Sequence, residues 1–256
     1  MRNQAISLVM LSIAVAACDQ RAAFERLIPK DDAAFAIETF DHIRRQEFEA
    51  VEARLEKAAA TAESRRQLQQ VAAVFGTEPP EEVRVIGAFT NTVNGAITYV
   101  NLTLEYRFAR RWLVAAMALH RSGNARTIDT LRVQPTVDGQ ENLNRFRLSG
   151  KGLTHYAVLA WAILAPLFII GTLVLLWRTS VPRHKWLWGI FVALGVGQVT
   201  LNWTTGETSI QLLHLALFGG GFLKPGPYAP VFLTAAVPVG AILFLWRRRR
   251  WPDALA

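Results

Sequence analysis

Three apolar runs near the C-terminus constrain this chain more than any other feature: Tyr156 to Trp177, Trp186 to Trp203 and Tyr228 to Trp246. A helix rises ~1.5 Å per residue, so roughly 20 apolar residues cross a hydrocarbon core of ~30 Å. Lipid offers the backbone no hydrogen-bond partner, so a spanning segment is a helix or part of a closed barrel. Length and composition therefore predict three transmembrane helices, over about residues 156–177, 186–203 and 228–246, in an all-α membrane domain of residues 151–256. Everything upstream reads as a domain delivered to one side of a membrane.

Charge supports that reading. The net charge of +8 invites a nucleic-acid partner, but basic and acidic residues balance from Cys18 to Gly150. The excess lies at the chain start and in the apolar part, at Arg178, Arg183, Lys185 and Arg247 to Arg250. Basic residues beside apolar spans match the positive-inside pattern and argue against a nucleic-acid stripe. The single cysteine excludes an internal disulfide and any cysteine-built metal cluster.

Residues 1–17 have a basic start at Arg2, an apolar stretch from Ile6 to Val15 and small residues before Cys18, as in a secretory signal. Val15-Ala16-Ala17-Cys18 resembles the lipobox of bacterial lipoproteins, which usually has Leu where Val15 stands. That resemblance implies a diacylglycerol on the Cys18 thiol and cleavage before it. An A-x-A-like cleavage site with an incidental cysteine, or an uncleaved anchor, are the other readings of this segment. In lipoproteins that this one resembles, Asp at the position of Asp19 implies retention in the inner membrane. All three readings export the segment after Cys18. With three spans, residues 18–150 are then periplasmic, the Arg178 to Lys185 loop is cytoplasmic and the C-terminus is cytoplasmic.

Residues 18–150 read as α, then β. Pro29, Asp31 and Asp32 mark a helix start, and Phe35, Ile37, Phe40 and Ile43 recur at helical spacing. A short helix carries Phe48, Val51 and Leu55; a third runs from about Glu63 to Phe75, closed by Gly76, Pro79 and Pro80. Strands are expected at Val83–Phe89, Ala96–Phe108, Trp112–Leu119 and Thr127–Val133, with a hairpin turn at Asn94-Gly95. Val100, Leu102, Leu104, Tyr106 and Phe108 alternate onto one face. Helices succeeded by an antiparallel meander resemble the NTF2-like, or cystatin-like, α+β fold. The resemblance implies a curved sheet wrapping a long helix into a cone that holds a small ligand, a catalytic dyad or only core. Residues 137–150 read as a polar linker.

No motif carries chemistry on its own. His42, His120, His155, His184 and His214 lack metal-ligand spacing, and no G-x-S-x-G elbow or phosphate-binding glycine loop is present. No metal site, cofactor site or catalytic residue is assigned. Asp41, Glu47, Glu49, Glu52 and Glu56 interleave with Arg44, Arg45, Arg54 and Lys57, the pattern of an ion-paired, solvated helix face. Gln198, Asn202, Gln211 and His214 form a candidate polar cluster at membrane depth, with helix–helix packing as the alternative role. Residues 208–222 are too short for a span and read as interfacial or re-entrant.

The expectation is a bacterial inner-membrane lipoprotein that acts as a non-enzymatic binding or assembly module, with a lipid at Cys18 and a protein partner or small ligand in the periplasm. Two alternatives differ in class. An enzyme would need a polar cone lined by residues such as Tyr99, Glu105 or Tyr106. A transport or channel subunit would need a hydrated path past Gln198, Asn202 and His214.

Overall fold

The structure is a computed structural model that describes residues 20–56, 61–94, 97–123, 125–179 and 184–248. The expected signal segment, Cys18 and Asp19 lie outside the described residues. The chain divides into two compact units, Met1–Leu143 with Gly226–Ala229, and Asn144–Pro225 with Pro230–Ala256.

In the first unit, residues 20–27 are helical, and α1 (Lys30–Arg44), α2 (Phe48–Glu52) and α3 (Ala62–Phe75) come next. Pro29 precedes α1 and Asp31 and Asp32 sit in its first turn, where the helix dipole favours negative charge. Thr61 caps α3: its hydroxyl accepts from Ser64 N, and Ser64 Oγ accepts from Thr61 N. Gly76 ends α3 with φ +67°, and the Arg111 guanidinium covers the freed carbonyls of Val74 and Phe75. Arg111, one of the two arginines that interrupt the strand pattern, therefore supplies a helix cap.

Four strands, β1 (Glu82–Val93), β2 (Ile97–Arg107), β3 (Trp112–Ser122) and β4 (Ala125–Thr136), form an antiparallel meander in the order β1-β2-β3-β4. Val100, Leu102, Leu104 and Tyr106 of β2, with Phe108 just after it, are buried, as are Leu113, Ala115, Met117 and Leu119 of β3. Against this face pack Ala36, Phe40 and Ile43 of α1, Val51 of α2 and Leu68, Ala72 and Phe75 of α3. Phe40, Phe75 and Tyr106 meet edge-on or tilted, with centroids 5.0–6.2 Å apart. The ladder shifts register between Val85 and Gly87 and between Ala118 and Leu119, the second shift leaving Asp129 as the extra residue of a bulge. Residues 137–150, expected as linker, contain a short helix, α4 (Gln140–Leu143).

The second unit overturns the expected all-α bundle of three transmembrane helices. One described helix is long and apolar enough to cross a membrane: α5 (Leu153–Arg178). The expected span 186–203 is instead a nine-residue helix, α6 (Lys185–Ala193), continuing directly into strand β5 (Leu194–Asn202). The expected span 228–246 is β8 (Phe232–Val237), then Pro238, then α7 (Val239–Arg248). Residues 208–222, expected to be interfacial or re-entrant, supply β6 (Thr208–Leu217) and the start of β7 (Gly220–Leu223). The four strands form a second antiparallel sheet in the order β6-β5-β8-β7.

The physical reason lies inside each run. Leu194 turns extended, and Gly195 and Gly197 come after it, Gly197 with φ +71°. Glycine weakens a helix, and the β-branched Val196, Val199 and Thr200 favour a pleated surface. Gly195 is also needed for close packing, since a Cβ there would lie 3.1 Å from both Ala236 Cβ and Gly219 Cα. Pro238 has no N–H to give and marks the change from strand to helix. A run of apolar residues shows burial or lipid contact; its length alone does not make it one helix.

Candidate functional site

The face of the first sheet that packs on the helices is mostly filled by apolar side chains. Tyr106 lies among them, 4% exposed, against Phe40 and Phe75. Burial pushes its phenol well above the ordinary value, with the nearby Asp41 carboxylate adding to the effect. Its neighbour Glu105 is buried too, and accepts a short hydrogen bond from the Gln140 backbone N–H, which ties down α4. Tyr99 is exposed and contacts the His120 ring at a centroid distance of 6.0 Å. Tyr106 therefore stands on one face of β2, with Glu105 and Tyr99 on the other. The three residues do not converge on one pocket.

Two features border the core instead. The first is a groove of about 420 Å³ between α3 and β4, bounded by Thr61, Ser64, Gln67, Val71, Asp129 and Leu131. At its edge His120 Nδ1 and Asp129 Oδ1 stand 2.7 Å apart across the β3–β4 hairpin. This supplies an imidazole oriented by a carboxylate, with no described nucleophile bonded to it. The second is a cavity of about 360 Å³ at the rim of the core, where Ile37, Phe40, Asp41, Pro80, Val83 and Tyr106 come together.

The charged helix face is ion-paired, in part by unexpected partners. Arg44 and Arg45 both hold Asp41, at 2.5 and 2.6 Å. Glu52 pairs with Arg65 of α3 through two 2.6 Å hydrogen bonds, and Arg54 reaches back to Glu38 at 3.0 Å. The Arg65 guanidinium holds the Glu52 carboxyl below the usual carboxylate range, and Arg54 does the same for Glu38, helped by His42. Arg84 likewise lowers Glu82.

The deepest ion pair leaves no trace in local spacing. Asp32 is fully buried, with Arg126 Nε at 2.8 Å and Arg121 Nη1 at 3.4 Å. It joins the first turn of α1 to the β3–β4 hairpin. Arg126 stands 94 positions away in sequence, far outside the reach of any helical or strand period.

Of the four polar residues singled out in the apolar region, three stay close together and one does not. Gln198 and Gln211 are ladder partners on β5 and β6, and Gln198 donates to Thr200 Oγ1 at 3.1 Å. His214 lines a cleft that Gln198 also borders. Asn202 leaves the group: its Oδ1 accepts from Thr204 N and Thr205 N, closing the turn after β5. Among the described residues no group of three or more His, Cys, Asp or Glu is arranged to hold a metal ion.

Compared with known proteins, the chain matches no family model, no curated protein and no solved structure.

Proposed function

We propose that this chain is a non-enzymatic binding or assembly module held at a bacterial inner membrane, with the α+β unit on the periplasmic side. The observation that carries the reading is the surface of α5. It is 26 residues long, only 28% of its most apolar 18-residue window is buried, and Trp161, Ile163, Leu167, Phe168, Ile170 and Val174 are exposed. Water would make so much exposed apolar surface costly, whereas hydrocarbon accepts it. Trp177 and Arg178 at its end suit a membrane interface, and the basic residues beyond it suit the cytoplasmic side.

The lipobox-like Val15-Ala16-Ala17-Cys18 supports a second attachment through a lipid on Cys18. The groove between α3 and β4 and the rim cavity offer room for a partner or small ligand. The edge strands β6 and β7 limit depth: unpaired ladder groups along an open edge are not tolerated in hydrocarbon. Within the second unit α5 packs on β8, on the edge strand β7 and on β5.

Membrane fractionation tests the reading. The full chain is expected to stay with membranes through an alkaline wash and to leave them only in detergent. Leu164→Arg with Leu167→Arg is expected to weaken retention, and Cys18→Ser to remove the lipid mass. A full chain that is soluble and monodisperse without detergent would end the proposal.

A further inference from the structure

The rim cavity is bordered by Tyr106, whose buried hydroxyl is unpaired. Its walls are apolar, from Ile37, Phe40, Phe75, Pro80 and Val83. The charged groups at its border are already engaged. Arg44 donates to Asp41 Oδ1 from Nε at 3.0 Å and from Nη2 at 2.5 Å, and to Thr77 O at 3.1 Å. Arg54 holds Glu38. The Tyr106 hydroxyl is different: it is buried and has no hydrogen-bond partner. A buried hydroxyl left unpaired is destabilising, and native structures normally give it a protein group, a water or a ligand. The hydroxyl lies within electrostatic reach of Asp41 and Arg44, both of which border the cavity.

We propose that this cavity binds a small, neutral, mostly apolar molecule bearing one hydroxyl or carbonyl oxygen, and that the Tyr106 hydroxyl is its hydrogen-bond partner. At about 360 Å³ the cavity falls at the small end of the range for ligand pockets, roughly 300–1,000 Å³. An anion is selected against, since Glu38 and Asp41 flank the site and the Arg44 charge is committed to Asp41. Burial keeps the phenol protonated, so it can both donate and accept. The hydroxyl is closed off from solvent, so ligand contact requires the α1 side chains over it to move. The proposal names a ligand class for the binding module described above but uses none of the membrane evidence, so either can fail without the other.

The test is calorimetric titration of the full chain in detergent, with detergent-only blanks, using p-cresol, toluene and 4-methylbenzoate. Wild type is expected to bind p-cresol about tenfold more tightly than toluene, the worth of one hydrogen bond made in a dry site. It should bind 4-methylbenzoate more weakly than either. Tyr106→Phe should bring p-cresol down to the toluene affinity, leave toluene unchanged, and keep or raise the melting temperature. Ile37→Trp, which fills the cavity, should abolish binding of both. Equal affinities for p-cresol and toluene in wild type, no binding of any probe, or discrimination that survives in Tyr106→Phe would overturn the proposal. So would a lower melting temperature for Tyr106→Phe, because the hydroxyl would then already be held by an ordered water.

Discussion

The buried Asp32 pair should respond unequally to loss of its two sides. The Asp32 carboxylate is 0% exposed, whereas Arg126 and Arg121 keep 29% and 35% of their side-chain surface in water. Asp32→Ala leaves two part-exposed guanidiniums, which can rotate into solvent, and also removes a first-turn charge from α1; its cost should be about 1–2 kcal/mol. Arg126→Ala strands a carboxylate that cannot move, with only Arg121 at 3.4 Å, and should cost about 3–5 kcal/mol. The double variant should cost less than the sum, because removing the carboxylate removes the stranded charge. Urea unfolding of the detergent-solubilised chain, monitored by a probe on Trp112 of β3, gives the three values. If Asp32→Ala were as costly as Arg126→Ala, or if the two costs added, the reasoning from unequal burial would be wrong.

A Cβ on Gly240 would run into the Phe191 carbonyl, so α6 and α7 meet through backbone. Gly240→Ala should therefore cost about 1–3 kcal/mol and red-shift the fluorescence of Trp188, which packs on Phe244. Glu52 has a folded-state value below its ordinary 4.5, so its pairing with Arg65 stabilises the fold above that pH and the contribution is lost as pH falls through the lowered value. Arg65→Gln should move the acid-unfolding midpoint upward in a far-UV circular dichroism titration, and an unchanged midpoint would show that the pair contributes nothing.

Much of the first unit can be read locally. The alternation from Val100 to Phe108 names the buried face of β2, Gly76 marks the end of α3, and Pro29 with Asp31 and Asp32 marks the start of α1. These signals rest on side-chain period and backbone freedom, both properties of short segments. The candidate site is far less legible. The alternation already separates Tyr106 from Tyr99 and Glu105, but the burial of Glu105 under Gln140 is a tertiary contact with no local signal. The His120–Asp129 contact depends on a bulge that nothing in the hairpin sequence announces.

Local sequence settles where apolar surface lies, where charge balances and where the helices and strands of the first unit begin, because each of these depends on neighbours within a few residues. The fate of the apolar runs after Arg178 is settled only by packing in three dimensions. A stretch such as Trp186 to Trp203 satisfies the hydropathy of a helix and of a sheet equally. The choice falls to Gly195, which lets β5 approach Ala236 and Gly219, and to the ladder that Val199 and Thr200 make with Ala235 and Thr234. Those partners lie far along the chain, so the free energy that selects a strand exists only once the fold has brought them together.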